Sequence, residues 1–302
     1  MNDIKSLLEK QGYIFGTKLP RSRNDVYLIE KNGVKFVLKT NSTPELRDSI
    51  LNELEWYKNW DKLRKAGVTL PVLVDSKIIG DNIYLMTEYV EGKSIEELIS
   101  NSEFSDENIE QLAQTIHSIE TLPYINTIVS SNKRKLNPED WNNVFHNNKA
   151  KWSTYINGNT HNSEIKDFVD FLTNTASKFN IQNLGYGTLH GSSKMIEFIF
   201  KESTLTVLDW EKASGVYINY YETAGISSYI AIRLSKPDIA EKLLIQRRKH
   251  ITSFTLPFFD RYFYSLLAQR ILGDIYDLYS QNEINEIELI KNIPYLKSIF
   301  QA

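Results

Sequence analysis

The chain has 302 residues, 41% of them apolar and 24% charged, the make-up of a globular protein with enough core for two lobes. A formal net charge of −3 supplies no basic field, so neither nucleic acid nor a membrane is expected as a partner. There is no cysteine, which excludes disulfides, thiol catalysis and cysteine-ligated metal centres.

The opening segment, MNDIKSLLEKQGY, reads as an amphipathic helix and not as a signal peptide, and no apolar run is long enough to span a bilayer. A cytoplasmic location is the expectation. NDVYLIEKNGVKFVLKT predicts two strands joined at Lys31-Asn32-Gly33, because glycine tolerates the positive φ of a tight hairpin turn. TPELRDSILNELEWYKNWDKL predicts one helix, with Thr43 as its cap and Pro44 in its first turn. LPVLVDSKIIGDNIYLMTEYV predicts a second hairpin around Gly80-Asp81-Asn82.

After Gly92 the pattern turns helical, first in SIEELI, where Ser94 and Glu97 have capping-box spacing, then in DENIEQLAQTIHSIETL. Residues 124–160 are polar, rich in Asn and Trp, and show no clear period. NSEIKDFVDFLTNTASKF is helical, two short strands follow around residues 195–209, and helices predominate from about residue 221. The basic run Arg247, Arg248, Lys249 and His250 reads as a solvated helix face. A β-rich front and an α-rich back, joined near residues 87–92, predict an α+β protein of two lobes with a ligand cleft between them. The expected division is 1–92 and 93–302.

Three segments carry candidate chemistry. In VKFVLK the side chains alternate, so Val37 and Lys39 share a face, as an adenine-over-phosphate arrangement needs; an ordinary solvent-facing lysine is the other reading. On the helix after Pro44, Leu46, Ile50, Leu54 and Tyr57 form an apolar stripe, and Glu53 falls inside it while Glu55 does not. A buried carboxylate is costly unless paired, and Lys39 is its natural partner; Glu53 snorkelling at the edge of the stripe is the alternative. IYLMTEYVEG runs from an apolar strand into a polar segment that can offer backbone groups to a purine edge. Asp209 ends the strand LTVLD, where a rigidly held hard carboxylate suits magnesium; alone it could also cap the next turn.

Lys39, Glu53, LMTEYVEGKSI, LAQTIHSIETLP, LHGSSKMIEFIF and VLDWEKA, in this order along nearly the whole chain, resemble the aminoglycoside phosphotransferase and choline kinase-like family, which has the bilobal protein-kinase-like fold. The resemblance implies that ATP, or another nucleoside triphosphate, and Mg2+ are bound. It places Lys39 on the phosphates and Glu53 behind it. Met86, Glu88 and Val90 belong to the hinge at the base, Ile199 lies beneath it, and Asp209 holds metal. His117 corresponds to a structural histidine.

The family loop H-G-D-x-x-x-x-N reads here His190, Gly191, Ser192, Ser193, Lys194, Met195, Ile196, Glu197. Ser192 stands where the proton-accepting aspartate is expected, and Glu197 where a metal-binding asparagine is. The candidate catalytic positions are therefore Ser192, His190 and Lys194, and the metal positions Glu197 and Asp209. The phosphate-covering segment LPRSRNDVY has no glycine, leaving Ser22 and Asn24 to offer polar groups, and Glu222 replaces a usual aspartate.

Two functions follow as expectations. One is a divergent ATP- and magnesium-dependent phosphotransferase acting on a hydroxyl of a small molecule. The other is an impaired pseudokinase that binds nucleotide and serves a protein partner. Glu139, Asp140, Glu164 and Asp167 are candidates for an acidic acceptor site, and Trp141, Trp152 and Tyr155 for either an apolar pocket or core packing.

Overall fold

The computed structural model describes residues 2–19, 23–122, 138–180, 186–251 and 256–300. Its N-terminal part is an antiparallel sheet of β1 (Ile14–Lys18), β2 (Asp25–Lys31), β3 (Val34–Thr40), β4 (Leu73–Ile79) and β5 (Asn82–Glu88), in the order β1-β2-β3-β5-β4. The β2–β3 turn is the expected one, with Asn32 at φ 53° and Gly33 at φ 77°, two successive positive values whose twist matches that of the strands. Alternation divides the sheet into two faces. Ile29, Leu38, Tyr84 and Met86 pack with Ile4 and Leu8 of helix α1 (Asn2–Lys10). Ile83 and Leu85 turn the other way, into the main core with Ile50, Leu54 and Tyr57 of helix α2 (Arg47–Lys58).

The single helix expected after Thr43 is divided. Pro44–Leu46 is a 3-10 turn, α2 follows, and α3 (Trp60–Lys65) starts after a break at Asn59, whose side chain bonds the Glu55 carbonyl at 2.9 Å. Thr43 is extended and makes no side-chain cap bond.

The chain then passes Gly92, at φ 143°, where a Cβ would sit 2.2 Å from the Phe200 carbonyl oxygen. Only glycine permits this approach of the crossing strand to the second lobe. β6 (Lys93–Ser94) enters helix α4 (Ile95–Ser100) through the capping box of Ser94 and Glu97, as the spacing predicted. Helices α5 (Asp106–Glu120), α6 (Pro138–Asn159) and α7 (Ser163–Ala176) follow. β7 (Tyr186–Leu189) precedes the loop, and β8 (Phe198–Lys201) and β9 (Thr204–Val207) form a hairpin in a sheet of order β6-β8-β9. β10 (Ser214–Ile218) pairs back on β7. The rest is α8 (Tyr221–Ser228), a π-turn at Tyr229–Arg233, α9 (Pro237–Lys249), α10 (Leu256–Ser280) and α11 (Glu286–Ile299). Among the described residues no helix is long and apolar enough to cross a membrane.

Two expectations for this region are corrected or decided. Arg247 is not on a solvated face: it is 1% exposed and its guanidinium meets Glu120 at 2.5 Å, while Glu120 also accepts from the Thr223 backbone at 2.9 Å. A charge so enclosed is tolerated because its counter-charge is enclosed with it. Trp152 and Tyr155 pack on Tyr276 of α10, at 6.1 and 5.1 Å between ring centroids, and so serve packing. The side chains of Glu139, Asp140 and Trp141 lie outside the described residues, and Glu164 and Asp167 are exposed.

Candidate active site

Strand β9 ends at Val207 in the core, and Asp209 two residues on takes a left-handed backbone, φ 59° and ψ 61°, that turns the chain into the 3-10 turn Trp210–Lys212. Helix α2 fastens this turn from the other lobe. Asn52 donates to the carbonyls of Glu211 at 3.1 Å and Ala213 at 3.0 Å, and Trp56 packs on Trp210 with ring centroids 5.3 Å apart. The wider burial of α2, which takes in Asn52 and Trp56 besides the predicted stripe, is explained by this contact.

Four charged side chains meet here. The Lys39 ammonium donates to Glu53 Oε2 at 2.7 Å, to Asp209 Oδ1, and reaches Glu211 Oε2 at 2.9 Å. Glu211 in turn accepts from Arg23 at 2.6 Å and from Asn24 at 2.7 Å. Burial opposes the charge on Lys39, but Glu53, Asp209 and Glu211 outweigh it and hold the ammonium protonated well above its usual range. Burial likewise pushes Glu53 up to about 7 despite Lys39. Glu211 responds the other way: burial would raise it, yet Lys39 and Arg23 bring it down to about 2.

Glu197 approaches from the 3-10 turn Met195–Glu197. Burial, then the charge of Asp209, pushes its carboxyl up to about 7, and its Oε2 is enclosed without a hydrogen-bond partner. Carboxylate oxygens of Glu53, Asp209 and Glu211 lie within 4.8 Å of one another. With Glu197 there are four carboxyl groups against the two cations Lys39 and Arg23. An orphaned buried oxygen and an excess of hard anionic donors fit a divalent cation such as Mg2+, held by Asp209 and Glu197 with Glu211 within reach.

The loop from His190 is built on buried contacts. His190 is 0% exposed; its Nε2 donates to the Leu208 carbonyl at 2.7 Å and its ring packs on Trp210 at 4.9 Å. Burial lowers its pKa, but Glu222, 3.6 Å from Nδ1, outweighs burial and raises it to about 9. Enclosed in this way, His190 cannot touch a substrate. It is a positioning residue that fixes the backbone entering Asp209, which corrects its assignment among catalytic residues. Glu222 also accepts from the Gly191 N–H at 3.1 Å, so the longer side chain still clamps the loop. Gly191 has φ 94°, and a Cβ there would lie 2.7 Å from the Lys212 carbonyl oxygen. Ser192 is 8% exposed and brings a hydroxyl, not a carboxylate, to the loop, where it accepts from the Lys194 N–H at 3.4 Å.

On the base side, Val37 stands opposite Thr87 and Lys39 opposite Leu85, so these four share the face toward α2. Met86 lies on the reverse face, 0% exposed beneath α1, and therefore does not line the cleft; Thr87 takes that place because the side-chain period of a strand is two. Glu88 is exposed and its N–H is taken by the Val72 carbonyl at 3.0 Å, and Val90 is half-buried. Ile199 is half-buried, alternates with the core residues Phe198 and Phe200, and meets Gly92. Asn24 is not a free phosphate ligand: it is 1% exposed and bonded to Glu211 and Ser49, since a buried amide must find partners. Ser22 lies outside the described residues.

Beyond the loop a cavity of about 230 Å³ is lined by Ser192, Ser193, Lys194, Lys212, Glu222 and Arg270, among others. Sequence reasoning had assigned no role to Glu211, Arg23, Lys212 or Arg270. For Glu211 a signal existed, two residues after Asp209 in VLDWE; for the others none did.

Residues 18–151 match the model of the family described as "Phosphotransferase enzyme family". Among curated proteins none matches the sequence. Solved structures do. The GDP and kanamycin complex of APH(2")-IIia superposes with TM-score 0.63 at 15% identity, covering 97% of this chain and 99% of that one. The GDP complex of wild-type aminoglycoside 2'-phosphotransferase-IIIa gives 0.61 at 13%, covering 99% and 98%. The ternary complex of a thermostable mutant of APH(4)-Ia with AMP-PNP and hygromycin B gives 0.55 at 13%, covering 98% and 97%. At these identities the likeness shows the fold. The chain thus has the kinase-like fold of the aminoglycoside phosphotransferases, and its residues 18–151 carry the pattern of the phosphotransferase enzyme family.

Proposed function

We propose that this chain binds a nucleoside triphosphate with magnesium in its cleft and transfers the terminal phosphoryl group to a hydroxyl of a small molecule. The observation that carries this reading is the convergence of Lys39, Glu53 and Asp209, from three distant segments, on one point between the lobes. Lys39 is held protonated and aimed at the phosphate position by Glu53. Asp209, Glu197 and Glu211 are the residues that would hold Mg2+, which when bound neutralises charge on the phosphate oxygens. Val37 and Ile199 are the residues that would bracket the base. Similar structures contain GDP and AMP-PNP, so ATP and GTP are both donors to test.

In the transfer the acceptor oxygen bonds to the γ-phosphorus as the bond to the bridging oxygen breaks. The acceptor proton passes to solvent, because the Ser192 hydroxyl cannot take it near neutral pH. Positioning and electrostatics carry most of phosphoryl transfer, so a slowed reaction is the expected outcome. Thermal-shift titration with magnesium and ATP or GTP tests the reading: the unmodified protein gains stability, and Lys39→Ala and Asp209→Ala do not. No gain for the unmodified protein with either nucleotide overturns it.

The Ser192 hydroxyl also favours a second reading, a nucleotide-binding module without turnover that serves a protein partner. ADP or GDP release across a panel of hydroxylated acceptors separates the two. Release that depends on the acceptor selects the enzyme, and a nucleotide-dependent thermal shift without release, persisting in Ser192→Asp, selects the module.

A further inference from the structure

We infer that the cavity beyond the loop receives an anionic small molecule, anchored by Arg270 and Lys212. This deepens the phosphotransferase reading by naming its acceptor class, and rests on it only for which group of the ligand reacts.

The charge of the lining decides the matter. Lys194, Lys212 and Arg270 contribute three cations, and Glu222 is the carboxylate among the described lining residues. Glu222 is 3% exposed and already committed, to the Gly191 N–H at 3.1 Å and to the protonated His190 at 3.6 Å. It does not cancel the cations that face the cavity. Ser192 matters here for a second reason. A carboxylate at that position would repel an anion in the cavity, and a hydroxyl donates a hydrogen bond to it instead.

Arg270 supplies the specific feature. Its Nη1 donates to the Tyr221 hydroxyl at 2.9 Å, and the guanidinium lies 5.2 Å from the Tyr221 ring, which fixes its plane. Its Nε–H is fully enclosed and has no acceptor. Asp274, one turn along α10, offsets part of the Arg270 charge but does not bond Nε; its carboxylate accepts from Ser228 Oγ and pairs with Arg233 at 3.7 Å. Nε lies 3.9 Å from the place a Gly225 Cβ would occupy, and Gly225 is part of the cavity wall. An oriented guanidinium with an unpaired donor is the recognition group for phosphate and carboxylate. Lys212 is exposed, lines the same cavity and adds a point charge. The volume, about 230 Å³, is below the roughly 300–1,000 Å³ of drug-sized pockets and fits a small acceptor. A polycation placed here would face three like charges, and the exposed acids Glu164 and Asp167 are not in the lining.

Calorimetric titration of the protein saturated with magnesium and AMP-PNP tests this. The probes are glycerol 3-phosphate, glycerate, neutral glycerol and the polycation kanamycin. The phosphate or the carboxylate probe binds, their order telling which anion is preferred, while glycerol and kanamycin do not. Arg270→Gln and Lys212→Gln each weaken the anion by about tenfold or more. Lys212 is exposed, so its variant serves even where Arg270→Gln fails to fold. Kanamycin binding more tightly than both anions, no anion binding, or anion affinity unmoved in a folded variant overturns the inference. The nucleotide is titrated separately, and the anion arm is repeated without it. Failure of nucleotide binding with anion binding intact defeats the phosphotransferase reading alone; the reverse outcome defeats only the acceptor assignment.

Discussion

On the donor side of the cleft, Lys39 is gripped by Glu53, Asp209 and Glu211, and Glu197 adds a fourth carboxyl group. On the acceptor side, a short distance along the same loop, Ser192 has no charge and the cavity shows Lys194, Lys212 and Arg270. The first surface has an excess of anionic oxygen and calls for cations; the second has an excess of cationic nitrogen and calls for an anion. The comparison teaches that the two halves of the proposed site are held together by different means. The donor half depends on a tightly coupled buried network, in which one change leaves several charges uncompensated. The acceptor half is built from single side chains on a loop and two helix faces.

The largest effect separating the two sides is expected from Lys39→Met. It strands buried carboxylates, costs about 3–5 kcal/mol in urea unfolding and removes the nucleotide-dependent thermal shift. A variant that keeps its shift breaks the distinction, because the donor side would then not depend on the network. Ser192→Asp acts on the loop. It restores a base worth about 10²–10⁴-fold in transfer, read as acceptor-dependent ADP or GDP release, while weakening anionic acceptors by repulsion. Faster release with unweakened anion binding would show that the charge at residue 192 is not felt in the cavity.

Gly92→Ala disturbs neither charged surface, only the passage between lobes. A positive φ and a 2.2 Å encounter with the Phe200 carbonyl predict a loss of about 1–3 kcal/mol by urea unfolding. A neutral result would mean that the strand crossing is adjustable.

Acidity sharpens the donor side further. Burial raises Glu53 and Glu197 to about 7, above their ordinary 4.5. The folded protein then holds protons that the unfolded chain has released, so these two groups reduce stability as pH rises from about 4.5 through about 7. Glu211, brought down to about 2 by Lys39 and Arg23 against the effect of burial, has the opposite sign: its contribution is present above 4.5 and is lost as pH falls toward 2. Magnesium must displace the proton on Glu197, so the rise in melting temperature that it produces is larger at about pH 8 than at about pH 6. An equal or larger rise at the lower pH would remove Glu197 from the metal site. The smallest effect is Ser94→Ala, which removes a helix cap and costs about 1 kcal/mol by urea unfolding with no change in nucleotide affinity.

Much of the donor side was legible in the residues. Strand alternation put Lys39 beside Val37, and the helical wheel put Glu53 in an apolar stripe where it needed a partner. The same alternation places Met86 opposite Leu38, away from the cleft. Glu211 escaped because the chain leaves its strand at Asp209 through a left-handed residue, and no period continues through such a turn. Arg247 escaped because three basic neighbours mask the one whose counter-charge, Glu120, lies on another helix.

The amino-acid order alone determined what depends on neighbours a few residues apart: the hairpin at Asn32-Gly33, the cap at Ser94 and the burial of Glu53. Tertiary structure alone decided which charges face one another, since Lys39 meets Asp209 and Arg270 comes to line one cavity with Ser192 only after folding brings distant segments together. The physical reason is range. Periodicity and capping are properties of bonded geometry, whereas a Coulomb pair depends on the separation of its charges in space and the water excluded between them.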